Sequence, residues 1–253
     1  MITPSVTRRR FVWGLGQAAV MTSLGVRTSH AIQGALHAGT VSYIGAQEDI
    51  FTTGRANAAL SLRALAGLPA LYALGPVAGL DGEITIVNSQ PHISQVRDGG
   101  DAYSVDRTFE HGAIFLVWAQ VRAWHDIPVP DAVSSYGDLE TVVEAIARQH
   151  GIDTAAPFPF LMTGMPHELV WHINVDRTGG QPITRDLFAT SKQQYTLRDA
   201  RVDILGVYSD KHSGIFMPQG RRIHLHFIAH DSPATGHIDA IVPGGFTLRL
   251  PQA

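Results

Sequence analysis

Apolar residues recur along this chain in two rhythms, one helical and one extended. Between Ala56 and Ala73, Leu60, Leu62, Leu65, Leu68 and Leu71 stand among alanines. That spacing predicts a helix, with Pro69 kinking or ending it. The clearest helix is predicted from Asp138 to His150. There Val142, Val143 and Ile146 line one face, Asp138 and Glu140 sit where the helix dipole favours anions, and Gly151 follows as a stop. Extended stretches dominate elsewhere. Val41, Tyr43 and Ile44 fit a short strand. Glu83 to Val87 and Ala113 to Val121 read as strands, the second so continuously apolar that it is expected to be buried. Phe158 to Met162 and Glu168 to Val175 follow the helix. The last third is β-rich: Val202 to Tyr208, Arg222 to Ala229, His237 to Val242 and Phe246 to Leu250. The predicted class is α+β, with no internal repeat or low-complexity linker.

Composition narrows the picture. A length of 253 residues, 45 % of them hydrophobic, suffices for one substantial unit or two small lobes sharing a core. The absence of cysteine excludes disulfides and thiolate metal sites, so any metal must be held by imidazole and oxygen ligands. Charge is uneven. The first 31 residues hold Arg8, Arg9, Arg10 and Arg27 and no acid. Taking these four from the 19 basic residues leaves 15 against 22 acidic, near −7. That balance argues against a nucleic-acid or anionic-membrane partner. Arg8 to Arg10, the modestly apolar run from Phe11 to Val26, and Ser29-His30-Ala31 have the layout of a secretory signal. Thr7-Arg8-Arg9-Arg10-Phe11 is similar to the twin-arginine export signature. The expectation is a periplasmic or otherwise exported protein whose mature chain starts near Ile32, with no stable membrane association after cleavage.

The strongest chemical signal lies between Arg221 and Val242, RRIHLHFIAHDSPATGHIDAIV. Alternate residues of a strand share a face. His224 and His226 therefore project together, while Ile223, Leu225 and Phe227 face a core. Asp231, Ser232, Pro233 and Gly236 supply a loop that turns the chain back, carrying His230 and Asp231 with it. His237, opening the return strand, completes a facial set of three imidazoles. Three neutral nitrogens with open positions describe a catalytic zinc site, although iron, copper, nickel and manganese also accept such ligands. A second stretch, Leu80-Asp81-Gly82-Glu83, is a turn followed by a strand that aims the Glu83 carboxylate away from the apolar side of Ile84.

Together these stretches resemble the α-acetolactate decarboxylase family. The resemblance rests on Leu74-Gly75, Gly79-Leu80-Asp81-Gly82-Glu83, His224-Leu225-His226-Phe227 and Gly236-His237. Ten residues separate His226 from His237, as in the family's ligand motif. Gly206, Ser213-Gly214 and Leu248-Arg249-Leu250-Pro251 fit the same alignment. The similarity runs from about Gly39 to the C-terminus and thins between Arg97 and Pro157.

The resemblance implies two β-rich lobes with a few helices (about 39–150 and 151–253), a metal site between them, and a homodimer. It makes His224, His226 and His237 ligands of zinc or another divalent metal, and Glu83 an active-site carboxylate. The implied reaction converts a small-molecule substrate, 2-acetolactate or a related 2-hydroxy-3-keto acid, to acetoin and carbon dioxide. Two features depart from the family. A gapless match places His172 where the family has an arginine, the nearby arginine being Arg177. The family's second glutamate, from a tail beyond the LRLP stretch, has no counterpart before Ala253. Glu168, His167 and His172 are the candidates to substitute. These departures keep open a non-catalytic, metal-binding protein of the cell envelope. A cupin reading is disfavoured, because no glutamate follows His226 between Phe227 and Asp231.

Overall fold

Two antiparallel sheets face each other across a shared apolar layer in the computed structural model, which describes residues 39–97, 100–130 and 133–252. The predicted export signal over residues 1–31 lies outside the described residues. In chain order the first part carries β1 (Ser42–Ile44), α1 (Gln47–Thr53), β2 (Leu60–Ser61), β3 (Leu71–Pro76), β4 (Glu83–Val87), β5 (Gln90–Val96), β6 (Tyr103–Asp106), β7 (Gly112–Ala113) and β8 (Leu116–Gln120). The second part carries β9 (Trp124–Pro128), α2 (Tyr136–Gln149), β10 (Phe158–Gly164), β11 (Glu168–Asn174), α3 (Arg185–Thr190), β12 (Lys192–Leu197), β13 (Val202–Tyr208), β14 (Ile223–Ala229), β15 (Thr235–Val242) and β16 (Phe246–Pro251). The smaller sheet has the order β1-β8-β3-β4-β5-β6, and the larger β12-β11-β15-β14-β13-β10-β16-β9. The chain is α+β and mostly β. Because β9 pairs with β16, and α2 packs beneath the larger sheet, the second sheet already recruits the chain from Trp124.

Strand alternation creates three layers. On the smaller sheet, Leu71, Ala73, Ile84, Ile86 and Trp118 face outward onto Leu62 and Leu65. Their neighbours Tyr72, Leu74, Val117 and Ala119 face the larger sheet and meet its Leu161, Leu205 and Val207. The far side of the larger sheet, with Phe160, Ile204, Leu225, Phe227 and Ile238, is closed by Tyr136, Leu139, Val143 and Ile146 of α2. That helix begins where Ser135 accepts a hydrogen bond from the Asp138 N–H, 3.1 Å away, which satisfies one of the orphan donors of the first turn. Each apolar side chain buried there contributes about 1.5–3 kcal/mol. The Tyr136 hydroxyl donates to the Ile223 carbonyl at 3.0 Å and ties α2 to the start of β14.

Most predicted strands fall where the structure has them, with two corrections. The leucines between Ala56 and Ala73 do not form one helix. Leu60 lies in β2, Leu62 and Leu65 in a single 3-10 turn, and Leu71 in β3, yet all of them border the same outer cluster. A helix cannot continue through Gly67 and Ala70, whose φ values are 85° and 51°, or through Pro69. The predicted strand from Ala113 to Val121 is broken into β7 and β8, because Ile114 and Phe115 turn into the layer between the sheets.

Candidate metal centre

The site lies on the inner face of the larger sheet, opposite β4. His226 and His237 are direct partners in the β14–β15 ladder, and His224 stands two residues along β14 on the same side. Leu225 and Phe227, between and beyond them, point into the helix-backed core. The return strand starts at Thr235 rather than at His237. Gly236 is required there: a Cβ on it would lie 2.6 Å from the His172 carbonyl oxygen. Gly82 does the same before Glu83, since its φ is 134° and a Cβ would lie 2.3 Å from the Ser94 carbonyl oxygen.

One ring nitrogen from each of His224, His226 and His237 lies within 4.8 Å of the other two. His224 Nε2 and His237 Nδ1 are 3.0 Å apart, close to the spacing of two ligand atoms on one divalent ion, about 3.0–3.4 Å for metal–nitrogen bonds of about 2.1 Å. The outer atoms of the rings are anchored. His224 Nδ1 donates to the Phe216 carbonyl at 2.6 Å, which leaves the Nε2 lone pair free. His226 Nδ1 meets Thr85 Oγ1 at 3.1 Å. His226 Nε2, fully buried, has no protein partner. A buried polar nitrogen without a partner is costly, and a metal ion in this position would satisfy it. Burial favours the neutral, ligating form of all three rings. It lowers the His224 pKa to about 4 and holds His226 and His237 well below the ordinary value, with mutual repulsion adding to the effect. The donor set fits a divalent metal.

Glu83 on β4 closes the centre from the other sheet. It is 2 % exposed, with Oε2 at 3.6 Å from His226 Nε2 and Oε1 at 3.8 Å from His172 Nε2. Burial, reinforced by the Asp239 charge, raises its pKa well above that of an ordinary carboxylate, against hydrogen bonds from Asn174 and the positive charge of Lys192. Burial pushes His226 and His172 the other way, toward the neutral form, so both sides of these contacts are shifted away from their charged states. His172 on β11 is partnered with His237 across the ladder. Its Nδ1 donates to Asp239 Oδ2 at 2.9 Å. Asp239 is the extra residue of a bulge in β15, between Ile238 and Ala240, which face Trp171 and Val170; bulges re-aim side chains in this way. A cavity of about 160 Å³ opens onto the cluster, with an apolar wall of Pro76, Phe115, Phe188 and Pro218.

The structure thus brings Glu83, His172, His224, His226 and His237 together. It places other candidates elsewhere. Glu168 pairs with Arg198, and His167 is exposed beside Asp199. Arg177 bonds the Thr190 carbonyl and Gln193, and His230 pairs with Asp203. Thr85, Asn174, Asp239 and Lys192 belong to the site and were not singled out from the sequence. Three of them carried a signal: Thr85, Asn174 and Asp239 each stand two residues after a site residue on a strand, hence on the same face.

The fold and the cluster define an α+β protein with a three-histidine centre between two sheets, His224 and His226 buried and His237 half-buried. No family model and no curated protein matches the sequence. Solved structures do match in fold. The alpha-acetolactate decarboxylase of Bacillus subtilis strain 168 superposes with a TM-score of 0.66 at 15 % identity, over 85 % of this chain and 86 % of that one. The acetolactate decarboxylase of Bacillus subtilis subspecies spizizenii gives the same figures. A protein of unknown function from Staphylococcus aureus, described as similar to alpha-acetolactate decarboxylase, has a TM-score of 0.65 at 12 % identity over 83 % of this chain and 84 % of that one. The chain has the alpha-acetolactate decarboxylase fold.

Proposed function

We propose that this protein is a metal-dependent carboxy-lyase that converts 2-acetolactate, or a closely related 2-hydroxy-3-keto acid, to acetoin and carbon dioxide, with zinc at His224, His226 and His237. The observation that carries this reading is a buried Glu83, favoured in its protonated form, facing three convergent neutral imidazoles in that fold. Departure of carbon dioxide breaks the bond between the carboxyl carbon and C2, and leaves the electron pair as an enediolate. Lewis-acid stabilisation of the charge on the neighbouring oxygen is the chemistry a divalent metal supplies when bound there. A proton must then reach C2. Glu83 is the donor: it faces the histidines from the opposite sheet, and burial pushes its pKa up, in the direction that favours the proton-carrying form. His172, oriented by Asp239, keeps its Nε2 toward Glu83. The wall formed by Phe115 and Phe188 shields the reacting carbon from water.

The test is acetoin formation from racemic acetolactate by zinc-loaded protein. Turnover above the spontaneous rate, abolished by chelator and by His224→Ala, is expected. Glu83→Gln should keep the zinc and lose at least about 100-fold in rate, the contribution of a general acid. Stoichiometric zinc without turnover would reject the decarboxylase and leave a metal-binding protein of the cell envelope.

A further inference from the structure

The cavity must bind a carboxylate before it can release carbon dioxide, and the described residues offer one lysine or arginine at its wall. Lys192 opens β12 directly opposite Asn174 of β11, two positions from the His172–Gln194 pair, so both Lys192 and Asn174 share the face that carries His172. Both line the cavity. The side chain of Lys192 is 31 % exposed, half sunk at the rim, and its Nζ stands 3.7 Å from Asp239 Oδ1, beyond hydrogen-bond length. Asp239 spends its other oxygen on His172 and Gln194. The ammonium is therefore held near Asp239 by charge, with donors to spare. It lines the same cavity as Glu83, His172, His224 and His237, which places it beside the centre.

We propose that Lys192 is the substrate-carboxylate anchor and the specificity-determining residue of this site, an inference that rests on the decarboxylase reading above. A short 2-hydroxy-3-keto monocarboxylate fits the arrangement. Its carboxylate meets the ammonium, its hydroxyl and keto oxygens face the three histidines, and its alkyl groups lie against Phe115, Phe188, Pro76 and Pro218. One cation opposed by one nearby carboxylate accepts a monoanion and disfavours a dicarboxylate, whose second charge would be left without a partner beside Asp239. A volume of about 160 Å³ limits the ligand to a small acid.

The test measures binding, separately from turnover, on zinc-loaded protein. Calorimetric titrations use 2-hydroxy-2-methylpropanoate, which has the hydroxy acid but no keto group, and neutral 2,3-butanediol. Lys192→Gln should weaken binding of the acid by about 10–100-fold, the range of a hydrogen bond to a charged group, and leave the diol unchanged. Lys192→Arg should restore the acid to within a few fold. Zinc stoichiometry in each variant verifies that the centre is intact. Equal affinity of parent and Lys192→Gln for the acid overturns the proposal, as does a parent that binds the acid no better than the diol. Lysine-dependent binding in a protein that turns over no acetolactate would retain the anchor and reject the decarboxylase. Turnover with an unchanged KM in Lys192→Gln would do the reverse.

Discussion

The two faces of the eight-stranded sheet come from the same strands and differ in what their side chains do. Toward α2, Leu225, Phe227, Ile238, Trp171 and Ile173 pack into a continuous apolar cluster. One residue away along the same backbones, buried His224, His226, His172 and Asn174 and half-buried His237 form a polar layer. The first face gains stability from burial. The second loses some, because neutral imidazoles and a carboxyl are withdrawn from water and one nitrogen is left without a partner. The difference teaches that the inner face is a cost carried by the outer one, which is what a site selected for chemistry rather than packing looks like.

Truncation on the packed face should have the largest effect. Phe227 is fully buried, against Trp171 at a ring separation of 5.2 Å. Phe227→Ala is expected to lose about 3–5 kcal/mol in chemical denaturation, while protein that remains folded still binds zinc stoichiometrically. A loss under about 1 kcal/mol would mean that this face does not carry the stability assigned to it.

Acid should act on the other face, with an effect of the same order. Burial lowers the pKa of His224 from 6.5 to about 4, and also lowers those of His226, His237 and His172. The unfolded chain then binds more protons than the folded one between those values. Stability of the metal-free protein is therefore fully present above pH 6.5 and lost as the pH falls toward 4. His224 alone accounts for roughly 3 kcal/mol of that loss. Glu83 has the opposite sign: its raised pKa gives stability that is present below 4.5 and lost as the pH rises. Glu83→Gln should thus steepen the acid dependence. Denaturant midpoints in chelator at pH 7.5 and pH 5 measure both slopes. A midpoint that does not move would show that the imidazoles are not buried in the folded protein.

The contrast between the faces also explains what could be read from the sequence. His224 and His226 were legible because an HxH pair on an apolar strand can only alternate one way, and Gly236-His237 returns beside it. Glu83 required a resemblance, since a glutamate after an Asp-Gly turn is by itself an exposed residue. The same period of two leads from Glu83 to Thr85, from His172 to Asn174 and from His237 to Asp239, but a threonine, asparagine or aspartate on a strand carries no chemistry of its own to draw notice. Lys192 stood on KQQYTL, a half-exposed edge strand with no apolar alternation. β6 and β9, also edge strands of mixed pattern, escaped for the same reason; β5 is interior and largely buried, but Gln90, His92, Ser94 and Gln95 interrupt its apolar residues. The leucines of Ala56 to Ala73 misled because one cluster was filled by several short elements, and periodicity sees only the cluster.

The smallest of these effects sharpens the comparison most, because its sign is opposite. His226 is buried with Nδ1 against Thr85 Oγ1 and with Nε2 unpartnered. Replacing both residues with apolar ones of similar size, His226→Leu with Thr85→Val, removes the hydrogen bond and the orphan together. Such exchanges leave stability unchanged or raise it, whereas removing one partner strands the other. The double variant, measured in chelator at neutral pH, is expected to match or exceed the parent by up to about 1–3 kcal/mol. It should also fail to hold zinc. The single change His226→Leu should fall below the double, because Thr85 would keep a buried hydroxyl without its partner. If the double variant instead lost as much stability as Phe227→Ala, the histidine face would be contributing to packing like the other one. The reading of it as a destabilised site maintained for its metal chemistry would then be wrong.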